Sequence, residues 1–172
     1  CGKDLLVKIS AIGVNPIDSK VRLRALPEKG QDKVLGFDAV GTVEAIGEDV
    51  SLFNVGDTVF YAGDVGRAGS NAEYQLVDER IVGFAPKNID HAHAAALPLT
   101  AITAYEMLFD RLMIDVQNKY STEKPVLLIT GAAGGVGSIM IQLAKTLCPH
   151  ATVIATASRE ASQAWCKKMG AD

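Results

Sequence analysis

The stretch VLLITGAAGGVGSIMIQLAK, from Val126 to Lys145, decides how the second half of the chain folds. It has the pattern of a short apolar strand over 126–130, a glycine-rich turn over 131–137 and an amphipathic helix. The first backbone N–H groups of such a helix have no partner inside it, so they point toward an anion at the helix N-terminus. The stretch therefore predicts a turn that binds the pyrophosphate of a dinucleotide.

The turn matches the dinucleotide-binding fingerprint with one departure, because Ala132 stands at the first of its three glycine positions. At the other two, Gly134 lets the backbone approach the pyrophosphate and Gly137 lets the helix lie close to the strand. Gly131, just before Ala132, is expected to adopt the strained backbone conformation of the turn, which Ala132 then need not adopt. The alternative is a turn that serves only tight packing. The apolar face expected of the helix consists of Val136, Ile139, Met140, Leu143 and Leu147.

A second strand over 152–156 and a helix over 160–169 complete a βαβ unit, which predicts a parallel sheet. An NAD site has an acidic residue at the end of this second strand, where it accepts from the ribose hydroxyls. Here Ala157 stands at that position, and Ser158 and Arg159 follow it. A hydroxyl and a guanidinium suit a 2′-phosphate, which favours NADP(H). The alternative for Arg159 is a solvated charge at the start of a helix.

The first part of the chain has a different pattern. Short β segments alternate with turns from residue 5 to residue 83, and glycine recurs among them as in a compact, strongly bent β-barrel. In one segment Val59 and Tyr61 should face one side and Phe60 the other. We expect one domain over residues 1–97.

The second domain is expected over residues 98–172. An alanine-rich helical region precedes it, with Asp90 as an N-cap and Pro98 dividing two helical pieces. A polar connection over 118–125 leads to the strand at Val126.

Composition excludes several classes of function. The formal net charge is −3, and no cluster of lysine and arginine suggests nucleic acid. No run of about 18 apolar residues suggests a membrane span. Cys1, Cys148 and Cys166 are scattered without metal-ligand spacing, which indicates a reducing cytoplasm rather than a disulfide framework.

Both halves resemble the medium-chain dehydrogenase/reductase superfamily, in particular its quinone oxidoreductase branch and the zinc-type alcohol dehydrogenase-like proteins. Besides the glycine-turn stretch, the motifs that carry this resemblance are AIGVNPIDSKVR (11–22), VLGFDAVGTVEAIGEDV (34–50), FNVGDTVFYAG (53–63), AEYQLVDE (72–79) and AAALPLTAITAYEMLFDRL (94–112). The resemblance implies a GroES-like β-barrel domain followed by the first part of a Rossmann domain, an α/β doubly wound parallel sheet. Chains of that family are longer, so we expect this sequence to be a fragment lacking both ends.

The resemblance also bears on metal. Zinc members carry a Cys-x-x-Asp pattern and a His-Glu pair where this chain has Asn15 to Asp18 and Phe37-Asp38. Neither Asn15 nor Phe37 is a plausible zinc ligand, so no zinc is expected. His91 and His93 should lie on a helix surface, facing different directions.

The resemblance assigns roles to individual positions. Asn15 would lie beside the nicotinamide and its ribose, the alternative being a turn cap before Pro16. Thr103 would reach toward the nicotinamide end, or else bond its own preceding helical turn. The other expected cofactor-binding residues are Gly134, Gly135, Val136 and Gly137 at the pyrophosphate and Ser158 and Arg159 at the 2′-phosphate. Tyr61 is, with Asn15, a candidate catalytic residue, and core packing is its alternative.

These assignments predict a zinc-independent oxidoreductase that uses NADPH to reduce quinones or α,β-unsaturated carbonyl compounds. Without a Lewis acid, the deprotonation that alcohol oxidation requires becomes difficult near neutral pH. The alternatives are an alcohol dehydrogenase of the same superfamily and a non-catalytic NADPH-binding protein. We expect a small-molecule substrate, a homodimer when the chain is full length, and a cytoplasmic location.

Overall fold

A computed structural model describes residues 2–114 and 124–172, so most of the polar connection predicted over 118–125 lies outside the described residues. The chain divides into two compact units, Cys1–Leu99 and Thr100–Asp172. The sequence placed this boundary between residues 97 and 98.

The first unit is built on a five-stranded sheet in which all neighbouring strands are antiparallel. Its strands are β1 (Asp4–Gly13), β2 (Asp38–Ile46), β3 (Thr58–Ala62), β4 (Tyr74–Asp78) and β5 (Val82–Phe84), in the order β4-β1-β2-β3-β5. Val59 and Tyr61 of β3 are buried in the core and Phe60 is turned the other way, as the alternation predicted.

The long strand β1 is irregular, as expected for a strongly bent sheet. Its pairing with β2 shifts register between Leu6 and Val7 and again between Ile9 and Ala11. Opposite it, a Cβ on Gly41 would lie 2.3 Å from the carbonyl oxygen of Lys8. Glycine is therefore required at residue 41 for the two strands to approach this closely.

A helix that the sequence pattern did not predict follows β1. This helix, α1 (Pro16–Arg24), begins after Asn15 and has Pro16 at its first position. The Asp18 carboxylate accepts a hydrogen bond from the backbone N–H of Asn15 at 2.7 Å. The helix was missed because its side chains are mostly polar and exposed, which leaves little apolar periodicity, whereas proline and a third-position acid are start signals that needed no periodicity.

Two short helices precede and begin the second unit. They are α2 (His91–Ala95) and α3 (Pro98–Tyr105), and a π-helical turn over Glu106–Arg111 follows α3. The Asp90 carboxylate accepts from the backbone N–H of His93 at 2.8 Å, which confirms the predicted N-cap. His91 and His93 are exposed, as expected.

The second unit contains the predicted βαβ arrangement and one further helix. Its elements are β6 (Val126–Ile129), α4 (Gly135–Leu147), β7 (Thr152–Ala155) and α5 (Glu160–Met169). Strands β6 and β7 are parallel, with Val126 opposite Thr152. Leu127, Ile129 and Val153 of these strands form the core with Ile141 of α4.

The buried face of α4 differs in part from the predicted one. Gly137, Met140, Ile141 and Ala144 are buried, whereas Leu147 is 37% exposed. Val136, Ile139 and Leu143 are only partly buried at the edge of the core. The prediction counted large apolar side chains, but Gly137 and Ala144 let the helix approach closely, and this turns the small residues inward.

Candidate functional site

The glycine turn is anchored at its start to the end of β7. The backbone N–H of Gly131 donates to Thr156 Oγ1 at 3.0 Å, and that of Ala132 donates to the Thr156 carbonyl oxygen at 3.1 Å. Gly131 has a φ of +60°, in the left-handed region, and a Cβ there would meet open space. Gly131 thus adopts the left-handed conformation that the turn requires. Ala132 does not have to adopt it, and its side chain is fully buried.

Two later glycines of the turn differ in how much room surrounds them. A Cβ on Gly137 would lie 2.5 Å from the carbonyl oxygen of Ala132, so a side chain there requires the turn to move. A Cβ on Gly134 would lie 3.4 Å from the Gly131 oxygen, an ordinary contact. Because Gly134 caps α4, the first backbone N–H groups of the helix belong to Gly135, Val136 and Gly137. Their donors have no partner inside the helix and suit an anion.

A shallow cavity of about 330 Å³ lies between this turn and α5, and it is lined by Ala133, Arg159, Ala161, Ser162 and Trp165. Trp165 Nε1 donates to Ser138 Oγ of α4 at 2.8 Å, which holds the indole against the neighbouring helix. Lys168 Nζ lies 5.6 Å from the centre of the same ring. Arg159 supplies the cavity with a positive charge that suits a phosphate. Ser158 is exposed beside Arg159 but does not line the cavity.

Thr103 lies in α3 of the same unit and is half-buried. Near the start of that helix, Thr100 Cγ2 would be 3.2 Å from a Cβ on Gly135, so α3 lies beside the glycine turn. The second unit thus brings Thr103, the turn and Arg159 into one compact body.

Asn15 lies in the first unit, where Asp38 holds its side chain. Its Nδ2 donates to Asp38 Oδ2 at 2.7 Å, while Asp38 Oδ1 accepts from the backbone N–H of Leu99 at 2.8 Å. Ser70 Oγ donates to the Asp38 carbonyl oxygen at 3.1 Å. Burial raises the pKa of the fully buried Asp38 carboxyl to about 6, although the donors from Asn15 and Leu99 oppose this rise.

Asn15, Asp38 and Asp18 together form a polar corner of the first unit. Asp18 is 9% exposed, and its Oδ2 accepts from Asn15 N. Its Oδ1 is buried and has no hydrogen-bond partner among residues 2–114 and 124–172. The corner therefore has an acceptor without a donor. In the sequence, Asp18 and Asp38 stand out only as members of the two motifs at the zinc-ligand positions, and no local pattern reveals that β2 buries Asp38 against Asn15.

Tyr61 lies in the core, which is the alternative stated above. Its side chain is 2% exposed, and its hydroxyl donates to Gln75 Oε1 at 3.0 Å. Burial also raises the pKa of the Tyr61 hydroxyl above its usual range. A buried, engaged hydroxyl is poorly suited to proton transfer, which favours the core role of Tyr61 over the catalytic one.

Comparison with known proteins identifies the family. Residues 2–87 match the family model of the alcohol dehydrogenase GroES-like domain. The chain belongs to this family, within the medium-chain dehydrogenase/reductase superfamily.

Several relatives of this medium-chain dehydrogenase/reductase chain are similar over nearly its whole length. A zinc-type alcohol dehydrogenase-like protein of Staphylococcus aureus (strain COL) is 55% identical over 169 residues, covering 98% of this chain and 49% of that protein. The NADPH-dependent alkenal/one oxidoreductase, chloroplastic, of Arabidopsis thaliana is 39% identical over 179 residues, covering 98% of this chain and 43% of that protein. The chain thus spans about half the length of the first of these relatives.

A solved structure is similar as well. The Escherichia coli quinone oxidoreductase complexed with NADPH matches with a TM-score of 0.76 and 30% identity, covering 99% of this chain and 49% of that one. The GroES-like fold of the first unit and the oxidoreductase family are therefore established.

The zinc-ligand positions of this GroES-like domain do not fit zinc. Asn15 uses its amide N–H on Asp38, and the Phe37 side chain has no donor atom at all. In the described parts of the chain, no group of three or more His, Cys, Asp or Glu side chains is placed to hold a metal ion.

Within the same residues, no helix combines the length and the apolar character that crossing a membrane requires.

The core role of Tyr61 predicts the effect of replacing it in this family member. In the whole protein, Tyr61→Phe should leave kcat within about twofold, because a hydroxyl engaged in the core is poorly placed for proton transfer. The free energy of unfolding should fall by about 1 kcal/mol, because buried Gln75 Oε1 loses its donor. Steady-state kinetics and urea unfolding measure the two quantities, and a kcat reduced about a hundredfold would contradict the core role.

The environment of Asp38 predicts a pH dependence of stability. A carboxyl whose pKa rises from 3.8 to about 6 on folding stabilises the protein most below pH 3.8, and this contribution is lost as the pH rises through 6. The free energy of unfolding of the wild type minus that of Asp38→Asn should therefore fall by about 2 kcal/mol between about pH 4 and pH 7. Carboxyls that do not interact with Asp38 cancel in this difference. Urea unfolding of both proteins at several pH values measures it, and a flat difference would contradict the prediction.

Proposed function

We propose that the whole protein is an NADPH-dependent, zinc-independent oxidoreductase that reduces quinones or α,β-unsaturated carbonyl compounds by hydride transfer. The observation that carries the proposal is the cavity beside the glycine turn. It is lined by Arg159, and no acid stands at Ala157. This combination favours a phosphorylated dinucleotide over NAD.

The second unit would hold the phosphates of the cofactor. Backbone N–H groups of Gly135, Val136 and Gly137 suit the pyrophosphate, with Gly134 leaving space for its approach. The guanidinium of Arg159 and the hydroxyl of Ser158 suit the 2′-phosphate.

The nicotinamide end would be oriented by Asn15 and Thr103, the positions to which the family resemblance assigns that role. Bound NADPH supplies the hydride, and the chain's residues orient it and exclude water. Since Asn15 and Phe37 stand at the positions that hold zinc in the zinc members, neither position supplies a ligand for a Lewis acid that would help to deprotonate an alcohol. An acceptor that is already electron-poor needs no such help. With Tyr61 in the core, the proton that completes reduction would come from solvent.

The relatives support this proposal by their names. One is an NADPH-dependent alkenal/one oxidoreductase, and one solved relative is a quinone oxidoreductase complexed with NADPH. Another is called zinc-type alcohol dehydrogenase-like, which keeps a metal-dependent alcohol dehydrogenase as the second candidate. A non-catalytic NADPH-binding protein is the third. A homodimer and a cytoplasmic location remain predictions from the sequence.

The test is to follow NADPH absorbance when the purified whole protein is mixed with a panel of quinones and enones, with and without a strong zinc chelator. Turnover that the chelator leaves unchanged is expected. Chelator-sensitive oxidation of alcohols, together with stoichiometric zinc in metal analysis, would favour the alcohol dehydrogenase. Tight NADPH binding without turnover of any acceptor would favour the non-catalytic protein.

A further inference from the structure

The amide of Asn15 can present either its oxygen or its NH₂ group to a ligand, and the surrounding side chains decide which. The Nδ2 atom lies 2.7 Å from Asp38 Oδ2. An ionised carboxylate only accepts hydrogen bonds, so it must face the NH₂ end of the amide. The Oδ1 atom lies at the capping box that opens α1, where the Asp18 N–H donates to the main-chain oxygen of Asn15 at 3.0 Å. Because an amide oxygen has two lone pairs, Oδ1 can still accept from a ligand.

Asp38 is itself fixed, so it can hold the amide in one orientation. Its second carboxylate oxygen accepts from the backbone N–H of Leu99 at 2.8 Å. The side chain is completely buried. A carboxylate with both oxygens engaged cannot rotate without losing a charge-assisted hydrogen bond.

We propose that Asp38 is a positioning residue that makes Asn15 present an acceptor, so that this corner binds the N–H or O–H donors of the nicotinamide nucleoside. The buried Asp18 Oδ1 supports the same inference. It is a second hydrogen-bond acceptor, and it has no donor among the residues the structure describes. Donors of that kind are the carboxamide NH₂ and the ribose hydroxyls of the cofactor. The inference rests on the proposed function, in which Asn15 lies at the nicotinamide end.

The replacement Asp38→Asn exchanges one acceptor oxygen of the side chain for an NH₂ donor, with almost no change in shape. The amide introduced by this replacement can still accept from Leu99 N through its oxygen, but its NH₂ group then faces Asn15. The Asn15 amide must turn over to accept that bond, and it then presents its NH₂ group to the ligand. Two donors facing each other form no hydrogen bond, so binding of the nicotinamide nucleoside should weaken.

The test compares two ligands on the whole protein by calorimetry, NADP⁺ and adenosine 2′,5′-bisphosphate, which lacks the nicotinamide nucleoside. For Asp38→Asn we expect NADP⁺ to bind about tenfold more weakly, while the bisphosphate binds within about twofold of wild type. Ser70→Ala is the matched control, because it alters a buried neighbour of Asp38 without touching the carboxylate, and it should keep the wild-type ratio of the two affinities.

An equal loss for both ligands, or no loss for either, would overturn the proposal. If Asp38→Asn does not fold, Asn15→Ala tests the same point, since it removes the acceptor; undiminished NADP⁺ binding by that variant would overturn the proposal as well. Failure of the proposed function is distinguishable: without NADPH dependence the wild type would bind neither ligand, and without reductase activity it would bind both but turn over no quinone or enone.

The 3-acetylpyridine analogue of NADP⁺, which has a methyl group in place of the carboxamide NH₂, separates the two sources of donors. A loss on Asp38→Asn for NADP⁺ but not for the analogue assigns the donor to the carboxamide. A loss for both assigns it to the ribose hydroxyls. Either result supports the acceptor polarity of Asn15.

Discussion

Gly137→Ala is expected to weaken NADPH binding by the whole protein about a hundredfold, the size of effect that a displacement of roughly 1 Å can have at a binding site. The added methyl carbon would lie 2.5 Å from the Ala132 carbonyl oxygen, and both atoms belong to the turn and its helix. The turn or α4 must therefore move, and the N–H groups would move with it. The free energy of unfolding should also fall, by about 2 kcal/mol.

Gly134→Ala is the control that separates folding from binding. Its methyl carbon would meet only the Gly131 oxygen at 3.4 Å, and the φ of −73° at residue 134 suits alanine. Stability should therefore change little, while NADPH binding weakens about tenfold because the methyl group occupies the approach to the pyrophosphate. Urea unfolding and calorimetry of both variants measure these quantities. Wild-type affinity in Gly137→Ala would show that the turn does not bind the cofactor.

Arg159→Ala is expected to weaken NADPH binding about thirtyfold and to leave NADH binding unchanged, because only NADPH carries the 2′-phosphate. Adding Ala157→Asp should lower NADPH affinity further and raise NADH affinity, since a carboxylate repels the phosphate and accepts from the free ribose hydroxyls. Competitive titration with the two cofactors measures the preference.

Lys167→Ala is the matched control for this change. Lys167 is an exposed cation on the same helix, but it does not line the cavity beside the glycine turn. Lys167→Ala should therefore leave the preference for NADPH over NADH unaltered. If Lys167→Ala and Arg159→Ala weakened binding equally, the effect would come from the net charge of α5 and not from a contact with the 2′-phosphate.

Patterns of local sequence predicted the second unit closely because its elements are short and its signals are local. The strand, turn and helix between Val126 and Lys145 follow from apolar runs and glycine spacing, and α5 begins and ends at the predicted residues. The buried face of α4 was only partly right, because contact distance depends on the small residues Gly137 and Ala144 as much as on large apolar ones.

The side-chain contacts of the candidate site in the first unit could not be predicted from local sequence patterns. Asn15 and Asp38 are far apart in the chain, and the antiparallel pairing of β1 with β2, which places Gly13 opposite Asp38, brings their side chains into contact. The depth at which Tyr61 lies also depends on the whole sheet: alternation predicted that Val59 and Tyr61 share a face, but not that Gln75 would engage the hydroxyl. Pairwise contacts of this kind arise from tertiary packing, so a single sequence cannot specify them.

Trp165 gives this part of the protein an optical signal, because it is the single tryptophan of the 172 residues. The indole lines the cavity beside the glycine turn, and its N–H is held by Ser138. Its emission is therefore sensitive to what occupies that cavity, and it overlaps the absorption of reduced nicotinamide. Fluorescence titration can thus follow binding without a label, and energy transfer to NADPH can distinguish the reduced cofactor from the oxidised one in the same sample.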